Sequence, residues 1–394
     1  MRPVLRLLAV PVLLLAGACS PRAAAPAAAP SAVPSPVSSP SPSLTPSSAA
    51  PDCVGRILGG MSVPEQAGQV LMIGTPVAAP REITGDLTRL HLGGVFLAGR
   101  STRSATALRA DIAALTRSGG AVPPLVSLDQ EGGSVQTLKG DDFPILPSAQ
   151  RLGARSATEL RDTVSGSARR LAAIGITLNL APVADTVPAD IAEANPPIGA
   201  FRRQYGSQPA KVAAAIRTAV PASQDAGVLT VLKHFPGLGR VRANTDVTAD
   251  VIDAHTTADD PYLEPFRAGI EAGSAAVMMS SARYPRLDQE TIAAYSEPII
   301  TGLLREKLGF RGLVMSDDLG AADAAAIAPV GERAVRFIAA GGDLALTIRP
   351  EDAKPMAEAL TERAGKDEDF ALRLKDAASH VLRVKDRAGL LSCG

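Results

Sequence analysis

Gly312-Leu313-Val314-Met315-Ser316-Asp317-Asp318-Leu319 joins a short apolar run to two adjacent carboxylates, so charge emerges where a buried strand would meet solvent. Other apolar runs end the same way, in Asp129-Gln130-Glu131-Gly132-Gly133, in Asp185, in Lys233-His234-Phe235-Pro236-Gly237 and in Arg283. Polar groups at the ends of separate strands converge only when the strands run parallel in a ring or in one open sheet, with the active site at their carboxyl ends. Apolar runs bounded by Gly, Pro or charge predict strands over 70–73, 94–97, 124–128, 177–180, 229–232, 275–279, 313–315 and 344–347. Between them, Leu108, Ile112 and Leu115 recur at helical spacing, as do Ile299, Ile300, Leu303, Leu304 and Leu308 ahead of the stop signal Gly309. Eight strand–helix units predict an α/β fold, a single (β/α)8 TIM-type barrel over 53–394. An open doubly wound sheet is the competing arrangement, and no G-x-G-x-x-G follows the first strand to support it.

The chain has 394 residues of which 46% are hydrophobic, enough for one large core, and its 40 basic residues balance its 40 acidic ones. That balance leaves no electrostatic footprint for nucleic acid. Arg2 and Arg6, the apolar stretch Leu7 to Leu15 and the small residues Ala16-Gly17-Ala18 before Cys19 read as an export signal over 1–19, too short for a spanning helix. Cys19 looks like a bacterial lipoprotein lipidation site; ordinary cleavage nearby is the alternative. Residues 20–52 are almost all Ala, Pro and Ser and bury too little apolar area to fold, so they read as a tether between a lipid anchor and the barrel. The expected location is extracytoplasmic, on the cell membrane through the anchor alone, with release from the cell as a further possibility. Cys53 and Cys393 flank the globular part and are a candidate disulfide, worth about 4 to 5 kcal/mol in the chain-entropy description. Two free thiols near frayed ends are the other reading.

Four motifs in order resemble family 3 glycoside hydrolases, in the branch of bacterial β-N-acetylglucosaminidases that act on cell-wall fragments. They are Leu128-Asp129-Gln130-Glu131-Gly132-Gly133, Asn179-Leu180-Ala181-Pro182-Val183-Ala184-Asp185, Lys233-His234-Phe235-Pro236-Gly237, and Gly309-Phe310-Arg311-Gly312 leading into Ser316-Asp317-Asp318-Leu319. The resemblance implies a retaining mechanism in which Asp317 attacks the anomeric carbon and forms a covalent glycosyl-enzyme. A carboxylate suits that task, being both counter-ion to an oxocarbenium-like transition state and nucleophile. Asp318 is expected to bond backbone at the following helix start. The resemblance also implies that Asp129, Lys233 and His234 bind the sugar, and that Arg203, within Arg203-Gln204-Tyr205-Gly206, matches the family's arginine despite two extra residues of spacing. The carboxylate accepts from hydroxyls while the cationic groups donate to others.

Two departures stand out. Where the branch carries Asp-Ser-His, with its histidine as general acid/base, this chain has Asn244-Thr245-Asp246. Asp246 is therefore the candidate acid/base, a role that a closed loop and the neighbouring Asp317 are expected to favour through desolvation and charge. Asp250, or an acid elsewhere, is the alternative. An anion at this place repels phosphate and favours hydrolysis over phosphorolysis. Secondly, the two arginines expected after Gly133 are Ser134 and Thr137, leaving Lys139 as the nearest cation.

The expected function is a retaining exo-glycosidase of the β-N-acetylhexosaminidase type, acting as a monomer on cell-wall or environmental glycans. A catalytically impaired glycan-binding lipoprotein and a β-glucosidase-type enzyme are the alternatives. With no Trp in the chain, any stacking platform for the sugar falls to Tyr or Phe. The four histidines lack metal-ligand spacing, so neither metal nor cofactor is expected.

Overall fold

Eight parallel strands close into a ring in the computed structural model, which describes residues 52–392. They are β1 (Leu71–Pro76), β2 (Gly94–Ala98), β3 (Leu125–Leu128), β4 (Leu178–Asn179), β5 (Leu229–Phe235), β6 (Ala276–Met279), β7 (Leu313–Asp318) and β8 (Leu344–Thr347). Each pairs with its sequence neighbours, and β8 pairs with β1 to close the barrel. The predicted strands and the predicted barrel are thus the observed ones, with no end moved by more than three residues. The longest extensions are at the carboxyl ends of β1, β5 and β7, and in β5 and β7 they bring charged residues into the strand.

Alternation along each strand builds two cores. Met72, Phe96, Leu125, Leu178, Val231, Met278, Met315 and Leu346 point into the barrel, while Leu71, Ile73, Val95 and Val126 point outward. The outer layer meets helices such as Ala105–Ser118, which turns the expected Leu108, Ile112 and Leu115 inward after a Ser104 cap. The predicted 299–308 helix is present as Pro298–Lys307, wound as a π-helix and followed by Gly309 at φ +71°. The last helix, Glu368–Arg387, contributes Val381 and Val384 to the inner cluster and so closes the amino-terminal end of the barrel. The carboxyl-terminal end is left for chemistry.

Cys53 opens the first helix and is disulfide-bonded. Cys393 and Cys19 lie outside the described residues, as do the export signal and nearly all of the tether. No helix among the described residues is long and apolar enough to cross a membrane.

The same last helix buries Lys385 completely, with its Nζ donating to Gln69 Oε1 at 2.6 Å. Burial pulls its pKa down to about 7 from 10.5. The folded lysine is neutral above that value while the unfolded one holds its proton up to 10.5, so its burden on stability is full below pH 7 and shrinks as pH rises. Lys385→Met is therefore expected to gain stability relative to the parent at pH 6 and to lose that advantage by pH 10. The swing is at most about 4 kcal/mol, read from urea midpoints at the two pH values.

Candidate active site

Ladder irregularities mark the two strands that carry most of the site. The β5–β6 register shifts between Leu232 and Phe235, across Lys233 and His234, and the β7–β8 register shifts between Met315 and Asp318, across Asp317. A regular strand sends adjacent side chains to opposite faces, whereas a bulge re-aims them. Lys233 and His234, and likewise Asp317 and Asp318, all line one cavity at the barrel mouth.

Glu131 is the hub of the site's charge network. Its carboxylate side chain is only 4% exposed, lies 2.7 Å from Lys233 Nζ, and receives Arg203 through Nε at 2.9 Å and Nη2 at 2.7 Å. Burial alone would raise its pKa, but Arg203 and Lys233 outweigh burial and pull it from 4.5 to about 2. This lowered value stabilises the fold above pH 4.5, and the contribution is lost as pH falls toward 2. Burial works against Lys233 too, and Asp129 and Glu131 more than offset it, holding the ammonium above the usual lysine value. Lys233 Nζ donates to Asp129 Oδ1 at 2.6 Å, while Asp129 Oδ2 has no protein partner among the described residues. That oxygen is left to accept hydrogen bonds from a ligand in the cavity. Lys233→Met strips Asp129 of its cation and leaves Glu131 with Arg203 alone. It is expected to cost about 3–5 kcal/mol in urea unfolding and to raise KM.

Asp185, wholly buried beyond β4, accepts from His234 Nδ1 at 2.7 Å, from the His234 backbone at 3.2 Å and from the Leu238 backbone at 2.7 Å. With Nδ1–H spent there, Nε2 is the atom turned toward Arg203 Nη2, 3.4 Å away. The peptide bond between Lys233 and His234 is cis. Arg203 also donates from Nη1 to Pro197 O at 2.8 Å, so the altered spacing of its motif still delivers it to the site.

Asp317 is half-buried at the end of β7 and accepts from the Asp318 backbone at 2.9 Å. Burial pushes its carboxyl above the usual range; His234 opposes the shift and Asp246 adds to it. Asp318 bonds backbone as expected, but in a turn instead of a helix start: its Oδ1 accepts from Gly320 at 2.9 Å, Ala321 at 3.2 Å and Ile348 at 3.2 Å. Gly320 is dictated by space, since a Cβ there would stand 2.0 Å from Thr347 Oγ1.

The cavity measures about 570 Å³, and Asp129, Arg203, Lys233, His234, Asp246 and Asp317 all line it. These six residues, the first choices from the sequence for catalysis and sugar binding, are thus brought to one place. Asp246 is exposed, on a loop whose buried Thr245 and whose backbone hold it down: Asp323 N donates to Asp246 O at 3.3 Å and Ala324 N to Thr245 O at 3.2 Å. Three expectations need correcting. Asp250 faces Arg283 at 3.4 Å and does not line the cavity. Arg283 itself sits beyond β6 in a small hairpin, because β6 ends four residues earlier at Met279. The cation beside Ser134 is Arg100, from the end of β2, whose Nη2 donates to Ser134 O at 3.4 Å; Lys139 does not reach the cavity. Glu131 and Asp185, which sequence reasoning quoted without a role, prove to be the groups that fix Arg203, Lys233 and His234. Their only signal was position at strand ends. Phe201, 48% exposed, and Ile348, 40% exposed, form an apolar part of the rim. Among the described residues no cluster of His, Cys, Asp and Glu is placed to hold a metal ion.

A closed (β/α)8 ring whose mouth gathers carboxylates, a lysine, an arginine and a histidine around a sugar-sized cavity defines a barrel of the glycosidase class. The chain belongs to glycosyl hydrolase family 3: the profile of the Glycosyl hydrolase family 3 N terminal domain matches residues 62–384. A beta-hexosaminidase of Xanthomonas axonopodis pv. citri (strain 306) is 35% identical over 274 residues, 66% of this chain and 77% of the relative. Among solved structures, the beta-N-acetylhexosaminidase from Beutenbergia cavernae DSM 12333 is 43% identical with a TM-score of 0.79, over 83% of this chain and 99% of that one. A family 3 beta-N-acetylglucosaminidase from Paenibacillus sp. str. FPU-7 is 30% identical with a TM-score of 0.76, over 85% of this chain and 65% of that one.

Proposed function

We infer that the protein is a retaining, exo-acting glycoside hydrolase of the β-N-acetylhexosaminidase type. Asp317 attacks the anomeric carbon and displaces the leaving oxygen, which takes its proton from Asp246; water, deprotonated by Asp246, then releases the sugar from the Asp317 ester. Asp129 and Lys233 hold the sugar hydroxyls, and His234 and Arg203 complete the floor on which the ring is positioned. The observation that carries this reading is the presence of Asp317 and Asp246 in one cavity, close enough for the charge of Asp246 to raise the proton affinity of Asp317. The similarity to hexosaminidases supports the sugar class. An anionic Asp246 disfavours phosphate as acceptor, so water is the second substrate.

A panel of chromogenic β-glycosides tests the sugar class, with turnover of the N-acetylglucosaminide expected to exceed that of the glucoside. Trapping with a fluorinated sugar, followed by mass analysis, is expected to label the peptide containing Asp317. No label together with no turnover would mark a glycan binder instead.

The protein is further proposed to act as a monomer on the outer side of the cell membrane, on cell-wall or environmental glycans, held by lipid on Cys19 through the Ala/Pro/Ser tether. The composition of residues 1–52 supports this. Cys53 is proposed to pair with Cys393.

A further inference from the structure

The amino-terminal end of the barrel, opposite the catalytic mouth, holds a second cavity of about 340 Å³ between the starts of β6 and β7 and the last helix. Arg311, Arg383 and Arg387 line it together with His380, and no acidic side chain does. All three arginines are exposed. Arg311 and Arg383 have no hydrogen-bond or ion-pair partner among the described residues, and Arg387 donates only to the Gly273 carbonyl at 3.0 Å. Some exposed arginines elsewhere face a carboxylate, as Arg81 faces Asp111 and Arg363 faces Asp367, while others, such as Arg109 and Arg169, stand singly on helix surfaces. What sets the recess apart is that three guanidinium groups without a carboxylate partner line one cavity.

The wall behind the recess is built of ion pairs. Asp343 is wholly buried and is shared by Arg305 at 2.6 Å, Arg373 at 2.6 Å and His380 Nδ1 at 2.9 Å, and Arg373 also pairs with Asp376, so the positive charge of the recess itself rests on Arg311, Arg383 and Arg387. His380 spends Nδ1 on Asp343, which leaves Nε2 as its free ring nitrogen. Arg383 and Arg387 stand one turn apart on the last helix, on the same face, with Arg311 across from them at the start of β7.

From this arrangement we propose that the recess is a binding site for a phosphate group, gripped by the guanidinium forks of Arg311, Arg383 and Arg387. A planar fork of N–H donors matches tetrahedral phosphate oxygens through paired, charge-assisted hydrogen bonds, and a recess without carboxylates spares the ligand any repulsion. Two sources carry that chemistry: a free phosphate or phosphate ester, and the headgroup of an anionic phospholipid.

The test uses the full chain with Cys19→Ser and the same chain with Arg383→Gln and Arg387→Gln added. Calorimetry with inorganic phosphate and with glycerol phosphate reads the free-ligand arm. Flotation with vesicles of phosphatidylcholine, with and without phosphatidylglycerol, reads the headgroup arm. Saturable binding in either arm, weakened at least tenfold by the double substitution and weakened again by the separate variant Arg311→Gln, is the expected result. Binding of soluble phosphates identifies the free ligand, and binding to phosphatidylglycerol vesicles alone identifies the lipid. No saturable binding in either arm, or binding that survives all three substitutions, overturns the site. Turnover of a chromogenic glycoside, which these variants are expected to retain, confirms a folded barrel and separates this outcome from failure of the hydrolase reading.

Discussion

Asp317→Asn is expected to remove turnover of every glycoside, by about 10⁴-fold or more, whatever the leaving group. Without the carboxylate there is no ester to form at the anomeric carbon, and the oxocarbenium-like transition state loses its counter-ion. The substitution is nearly isosteric, and an amide Oδ1 still accepts from the Asp318 backbone, so the fold should survive. Burial and Asp246 raise the proton affinity of Asp317 in the fold, which means that its ionised form costs stability at neutral pH. The variant is therefore expected to be inactive and at least as stable as its parent at pH 7, with its stability advantage shrinking in acid as the parent carboxyl takes up a proton. Substantial residual activity in Asp317→Asn would refute its role as nucleophile.

Asp246→Asn is expected to separate two effects. Hydrolysis of glycosides with sugar leaving groups should fall by about 10²–10⁴-fold, while glycosides of acidic phenols, which leave without protonation, should be formed into the glycosyl-enzyme almost as fast as before. Equal loss on both classes would remove Asp246 from the role of acid. The second effect is on pH dependence. Asp317 must be ionised to attack, so activity falls as pH drops through its raised pKa. Replacing Asp246 by a neutral amide removes one of the charges that raise it, and the acid limb of kcat/KM for the phenyl glycosides should move to lower pH. A loop residue without influence on the nucleophile would leave that limb in place.

The barrel was legible because each strand is a short apolar run terminated by Gly, Pro or charge, and a run such as 344–347 has the same bounds in the sequence and in the fold. The site was legible for a related reason: Asp129, Lys233, His234 and Asp317 stand where apolar runs give way to charge, and parallel closure brings such ends together. What stayed hidden depends on register and on long-range direction. Nothing local says that β5 and β7 carry bulges, yet the bulges decide where adjacent side chains point. The choice of Arg100 over Lys139 beside Ser134 is a property of strand neighbours: β2 lies next to β3 in the ring. The pairing of Glu131 with Arg203 spans 72 residues, and that of Asp185 with His234 spans 49, so the two groups that organise the site had no signature in spacing. Lys385 was likewise unreadable, because a lysine at helical spacing looks solvated until the helix is seen to close the barrel.

The loop that presents Asp246 is pinned by two amides of the segment immediately after the strand of Asp317, those of Asp323 and Ala324. The proposed proton donor, Asp246, and the proposed nucleophile, Asp317, thus share one mechanical frame despite lying 71 residues apart. A loosened 321–325 segment, touching no sugar, would let the donor drift while the attacking group stayed in position. Such damage would surface selectively in slow-leaving substrates, mimicking loss of the acid itself.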